Sequence, residues 1–158
     1  MEQLDSFKII GISVDTTNEQ GQAADLEKLW ATFYAENVPG KVPNKASNDV
    51  YAIYTDYESD FTGKYTAMIG LRVNSLSQVP AGMIGREFTG GTYQKIVAKG
   101  AMPRAVVQAW QDIWSKDKEL SRAYTADFEV YRPKSQNGEN SEVDIYVAVN
   151  YSLTRQVL

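Results

Sequence analysis

The hydrophobic positions of this chain follow two rhythms, a helical one and a strand-like one, that alternate along its length. Ser6–Thr16 (SFKIIGISVDT) is rich in Ile and Val and reads as a strand, which the polar, Gly-containing stretch Thr17–Gln22 stops. Over Ala23–Glu36 the apolar residues Leu26, Leu29, Trp30 and Phe33 recur at helical spacing and form one stripe, which predicts an amphipathic helix. Pro39, Gly40 and Pro43 end that helix and open a loop to about Asn48. Asp49–Thr55 (DVYAIYT) and Lys64–Val73 (KYTAMIGLRV) then read as two strands, joined into a hairpin by the turn segment DYESDFTG.

The order then repeats. Gly82–Gly100 reads as an irregular strand, with Gly90-Gly91 marking a bulge or sharp bend inside it. Pro103 suits the first residue of a helix whose apolar face carries Val106, Val107, Trp110, Ile113 and Trp114. Ala126–Arg132 and Glu142–Ser152 read as strands, separated by the turn-forming PKSQNGEN. Leu26, Trp30, Phe33 and Tyr34 match Val106, Trp110, Ile113 and Trp114 at one constant offset. Ile53-Tyr54 matches Val130-Tyr131, and Met68 matches Tyr146. Two strand-helix-strand-strand halves, about 6–75 and 82–152, therefore predict an α+β fold with an approximate twofold axis. Neither half buries much area alone. Joined side by side, with both helices on one face of an antiparallel sheet, they make a single domain over 1–158 with a ligand cleft at the seam.

Composition narrows the chemistry. The chain has no Cys and no His, which excludes disulfides, thiolate nucleophiles, Ser-His-Asp triads, Cys/His zinc sites and His- or Cys-held haem. No metal site and no cofactor is implied. The net charge is −4 and no basic block exists, so direct nucleic-acid binding is not expected, while an acidic balance favours a cationic ligand. No apolar run approaches the ~18 residues of a membrane span, and the N-terminus lacks the pattern of a signal peptide. A cytoplasmic protein is expected.

Within Asp127-Phe128-Glu129-Val130-Tyr131, strand alternation sends Phe128 and Val130 to one face, where they are expected to pack against the helices. Asp127, Glu129 and Tyr131 then face away, and on a wet face Glu129 is an ordinary solvated charge. Ala52 occupies the position equivalent to Glu129, so the halves differ there. Tyr54, Met68, Tyr131 and Tyr146 are expected to share that face, and a carboxylate among Tyr and Met side chains suits an organic cation through charge and cation–π attraction. Trp110 and Trp114 lie on one side of the second helix. Trp114 reads as core and Trp110 as either core or pocket wall, with Tyr93 and Tyr51 as weaker pocket candidates.

Several segments together resemble the gyrase-inhibitor-like domains, which also serve as effector-binding halves of AraC- and MerR-type multidrug-responsive transcription regulators. They are VYAIYTDYESDFTGKYTAMIGLRV at 50–73, GGTYQKIVAKG at 90–100, AVVQAWQDIW at 105–114, DFEVYR at 127–132 and VDIYVAV at 143–149. The resemblance implies two pseudo-twofold halves and an aromatic pocket in which the glutamate of the FE-x-Y strand meets the ligand's positive charge. Glu129 falls on that position and Tyr146 on a pocket tyrosine, while Tyr131 stands where the family more often has an aliphatic residue. The regulators carry a DNA-reading domain ahead of this one, so a role in transcription calls for a separate regulatory protein as partner. Three function classes follow. The first is a stand-alone binding module for small amphipathic cations. The second is a hydrolase using Glu129 as general acid or base. The third is a protein-binding inhibitor of a topoisomerase, presenting the acidic loops at 56–60 and 135–142.

Overall fold

The computed structural model describes residues 1–19 and 23–150. The strands are β1 (Glu2–Leu4), β2 (Phe7–Thr17), β3 (Lys45–Thr55), β4 (Lys64–Val73), β5 (Ile84–Phe88), β6 (Gly91–Lys99), β7 (Ala126–Tyr131) and β8 (Glu142–Ala148). The helices are α1 (Ala23–Ala35), α2 (Val38–Lys41), α3 (Arg104–Ser115) and α4 (Asp117–Leu120). The strands form one antiparallel sheet in the order β1-β6-β8-β7-β3-β4-β2-β5. The expected α+β class with two strand-helix-strand-strand halves is the observed one, and the halves meet where β3 pairs with β7.

Three expected elements differ in detail. The segment after α1 contains the short helix α2, because Pro39 sits in its first turn, where a missing N–H costs nothing. The expected irregular strand over 82–100 is two strands, β5 beside β2 and β6 beside β8, on opposite flanks of the sheet. The last strand ends at Ala148, with Val149 bridging to Arg122; Tyr151 and Ser152 lie outside the described residues.

Short connections force the sheet to curl. β1 and β2 stand six places apart in the strand order, as do β6 and β5. A flat sheet would separate each pair by ~29 Å. Yet only Asp5 and Ser6 link β1 to β2, and only Thr89 and Gly90 link β5 to β6, links that reach at most ~11 Å. The two flanks must therefore approach each other. At the crossing, a Cβ on Gly90 would lie 2.2 Å from the Leu4 carbonyl oxygen, so only glycine fits there.

The curl creates two distinct apolar regions. Inside it, Phe7, Tyr51, Met68, Phe88, Tyr93, Phe128, Val130 and Tyr146 form a buried, aromatic-rich core that no helix joins. On the outer side, α1 packs Leu29 and Phe33 against Ile10, Ala52 and Ile69. α3 packs Val106, Trp110 and Ile113 against Val143, Ile145 and Val147. Both helices thus lie on one face, as expected, but Phe128 and Val130 face away from them rather than toward them. The residues alternating with Phe128 are the ones under the helices.

The repeat is real and its register needs one correction. Ile53 pairs with Met68, while its counterpart Val130 pairs with Asp144, so the counterpart of Met68 is Asp144 and not Tyr146. With Ile53 matched to Val130, the seam pair Ala52–Glu129 is made of two mutually equivalent residues, which places it at the pseudo-twofold axis. The aromatic packing obeys the same symmetry. Trp110 meets Tyr54 edge-on at 5.6 Å, and Trp30 meets Tyr131 edge-on at 5.0 Å, each tryptophan touching the tyrosine of the other half.

Candidate functional site: a buried carboxylate in an aromatic cleft

Glu129 is 1% exposed and sits in mid-strand at the seam, beneath α3. Its carboxylate accepts three hydrogen bonds, all from neutral donors. Tyr54 Oη donates to Oε2 at 2.9 Å, the Trp110 indole N–H donates to Oε2 at 2.6 Å, and Tyr131 Oη donates to Oε1 at 2.6 Å. No ion pair reaches it among the described residues. Burial pushes its carboxyl pKa up, and the three hydrogen bonds, Tyr131 first, pull part of that rise back. Burial, followed by the Glu129 charge, raises Tyr54 and Tyr131 well above the usual phenol range, so both remain donors.

The cleft above this carboxylate encloses about 440 Å³ between the start of α1, α3 and the β3–β4 turn. Its aromatic walls are Tyr54, Tyr57, Phe61, Tyr65, Trp110 and Trp114. Phe61 stacks on Trp114 at 5.7 Å and 6°, which gives a flat platform at the rim. Val107, on the α3 face expected to be buried, is 52% exposed and lines the opening.

Asp127, the neighbouring acid on the same strand face, is occupied. The Arg122 guanidinium donates to its Oδ2 at 2.6 Å, Tyr57 Oη donates to the same oxygen, and the Ala148 N–H donates to Oδ1 at 2.8 Å. Arg122 in turn reaches Asp117 at 3.4 Å and lies over the Tyr124 ring at 4.4 Å. Arg122, the only cation among the described residues lining the cleft, is therefore engaged by its own acids, and the Glu129 carboxyl is left without a counter-ion among the described residues.

The eight expected pocket residues divide by face. Glu129, Tyr54, Trp110 and Tyr131 come together as one hydrogen-bonded group. Tyr146, Met68, Tyr93 and Tyr51 do not join them: they lie inside the curl, where Phe128 stacks on Tyr146 at 4.9 Å and meets Tyr93 at 5.4 Å. The register explains this, since Met68 and Phe128 pair with Ile53, and Tyr146 pairs with Phe128. Trp114, expected in the core, belongs to the cleft. Tyr57, Phe61, Tyr65 and Arg122 were not anticipated; two aromatics inside the otherwise polar turn DYESDFTG are the signal that could have revealed the first two.

One consequence is measurable. Tyr131 makes the only hydrogen bond to Oε1 among the described residues, so Tyr131→Phe should raise the Glu129 carboxyl pKa further. Following the carboxyl carbon by NMR across pH should show a titration midpoint above that of the wild type.

Residues 1–149 match the family model described as Cass2, integron-associated effector binding protein. The YobU protein of Bacillus subtilis (strain 168), whose name assigns it provisionally to the transcriptional regulators, is 26% identical over 151 residues, covering 92% of this chain and 94% of its own. The integron cassette protein VCH_CASS2, from the mobile metagenome of Vibrio cholerae, superposes with a TM-score of 0.73 at 29% identity over 94% of each chain. SAV2435, solved bound to tetraphenylphosphonium, superposes with a TM-score of 0.78 at 22% identity, covering 94% of this chain and 92% of its own.

Proposed function

The chain belongs to the Cass2 family of integron-associated effector-binding proteins, and from that premise we propose that its small-molecule ligands are amphipathic organic cations held over Glu129. The observation that carries this reading is a fully buried carboxylate, bonded among the described residues only to neutral donors, in an aromatic cleft. An ionised group in that position costs free energy until a positive charge arrives. Aromatic faces add cation–π attraction of ~0.5–2 kcal/mol each. The tetraphenylphosphonium bound by SAV2435 has that chemistry: a permanent positive charge, wrapped in aromatic rings, with no hydrogen to donate. The carboxylate needs no donor from its ligand, since three side chains already serve it.

On this reading residues 1–158 act as one effector-binding unit, in the cytoplasm. Among the described residues no helix is long and apolar enough to cross a membrane. A hydrolytic reading would ask for a second available acid, and Asp127 is held by Arg122, Tyr57 and the Ala148 amide.

The test is proton linkage. The cation binds the ionised carboxylate, while burial holds the free protein's Glu129 pKa up. Affinity for methyltriphenylphosphonium should therefore be flat at high pH and fall as pH drops through that raised pKa, by about tenfold per pH unit until the pKa of the complex is reached. Isothermal titration near the midpoint, in two buffers of different ionisation enthalpy, should show proton release on binding. A pH-independent affinity with no proton release would refute the assignment. For folding the sign is opposite to that of a salt-bridged acid. The raised pKa favours the folded state below the unfolded carboxyl's range, and that contribution is lost as pH rises through the folded pKa.

A further inference from the structure

A second cleft, of about 520 Å³, opens on the same helix-bearing face. The first cleft lies toward the Tyr54–Asp127 end of the seam, and the second toward the Val50–Tyr131 end, with the Ala52–Glu129 pair between them. The two are related by the internal repeat. Pro103, Trp30, Tyr34 and Tyr131 line the second where their counterparts Ala23, Trp110, Trp114 and Tyr54 line the first.

Their shapes correspond but their charges do not. No carboxylate is among the described residues lining the second cleft. The Glu129 carboxylate lies behind Tyr131, whose hydroxyl is already donated to it. Arg132 contributes to the lining, but its guanidinium is bonded to Asp144 and lies 3.7 Å from Asp49. Both acids alternate with helix-facing neighbours and so point to the inner face. What remains is aromatic surface with uncharged polar groups. Trp30 stacks on Tyr34 at 6.2 Å and 18°, and Tyr34 is 58% exposed, a flat ring with one side in water. Asn48, Ser135 and Gln136 supply amide and hydroxyl donors at the margin.

We propose that the second cleft is a separate binding site for an uncharged planar aromatic molecule carrying a carbonyl group, filled at the same time as the cation cleft. The aromatic plane lies on Tyr34 and Trp30, and the carbonyl accepts from the marginal amides or hydroxyl. Charge sorts the two ligands: a cation over Trp30 and Tyr34 meets ring faces but no carboxylate, so it gains more over Glu129, whereas an uncharged ring system gains nothing from Glu129. That sorting rests on the reading of Glu129 given above.

Two probes of nearly the same shape test it, 10-methylacridone (uncharged, with a carbonyl) and 10-methylacridinium (cationic). The protein is labelled with 5-fluorotryptophan, and the signals of Trp30, Trp110 and Trp114 are assigned from single Trp→Phe variants. Methylacridone should shift the Trp30 signal saturably, and should still bind when methylacridinium saturates the shift at Trp110 and Trp114. Tyr34→Ala, at an exposed position, should weaken methylacridone by roughly fivefold, as loss of one aromatic contact predicts, and leave methylacridinium unchanged. Competition between the probes, a methylacridone shift confined to Trp110 and Trp114, indifference to Tyr34→Ala, or no Trp30 shift at all would each overturn the proposal. A failure of methylacridinium to move Trp110 and Trp114 would count against the cation cleft instead.

Discussion

Glu129→Gln should weaken binding of methyltriphenylphosphonium by roughly 30-fold or more, corresponding to ~2 kcal/mol or more for removing one partner of a desolvated charge pair. Triphenylphosphine oxide, in which an oxygen replaces the methyl group so that the molecule has no net charge at nearly the same size, should bind both proteins about equally. The substitution suits the test because the glutamine can be accommodated. Its carbonyl oxygen can take the place of Oε2 and keep the Tyr54 and Trp110 hydrogen bonds, and its amide can donate to Tyr131, whose hydroxyl accepts as well as donates. The fold should therefore remain, with a melting temperature close to wild type. Removing a buried charge also removes the pH dependence described above, so the glutamine protein should bind the cation with a flat pH profile. Equal cation affinity in the two proteins would mean that Glu129 does not set charge preference.

The largest loss of stability should come from the other side of the same strand. Phe128 lies inside the curl with Phe7 at 5.0 Å, Tyr146 at 4.9 Å, Tyr93 at 5.4 Å and Tyr51 at 5.9 Å. These rings come from β2, β8, β6 and β3, so Phe128 ties both flanks of the sheet together. Phe128→Ala should cost ~3–5 kcal/mol, because so many rigid neighbours cannot collapse into the gap. A melting temperature lower by roughly 6–20 °C is the expected reading. The cation cleft is on the opposite face, so the folded fraction should bind methyltriphenylphosphonium with nearly wild-type affinity. A stable variant that has lost the cation would place Phe128 at the ligand and reverse the face assignment.

That face assignment marks the boundary of what was legible in the sequence. The element order, the two helical stripes and the internal repeat could all be read, because each depends on local periodicity or on like residues recurring in order. The singular position of Glu129 could be read too, since the repeat opposes it to Ala52. Alternation also separated Glu129 correctly from Phe128. It could not say which of the two faces carries the helices. Both faces of β7 are apolar apart from two acids, and the expectation sent the acids away from the helices by analogy with a sheet that has one wet side. The deciding fact is global: two-residue links at Asp5-Ser6 and Thr89-Gly90 close the sheet on itself and fill its inside with rings. The same error carried Tyr146, Met68, Tyr93 and Tyr51 into the expected pocket. A correct strand register would have removed them, but register is a long-range property that pairs β7 with β3 across roughly half of the chain. The carry-over of Tyr146 from the family resemblance failed to meet the cleft for the same geometric reason.

The position of Glu129 at the internal axis carries an arithmetic restriction. A two-chain assembly of identical halves would present every residue twice. A glutamate at this seam position would then face its own copy across a single pair of strands, and the two carboxylates could not both stay ionised. One would hold a proton, and the site would offer a shared charge in place of a fixed one. Alanine on both sides would leave no charge at all. A chain that carries both halves covalently breaks the parity, with Glu129 on one strand and Ala52 opposite it, and so sets a single carboxyl on its own symmetry axis.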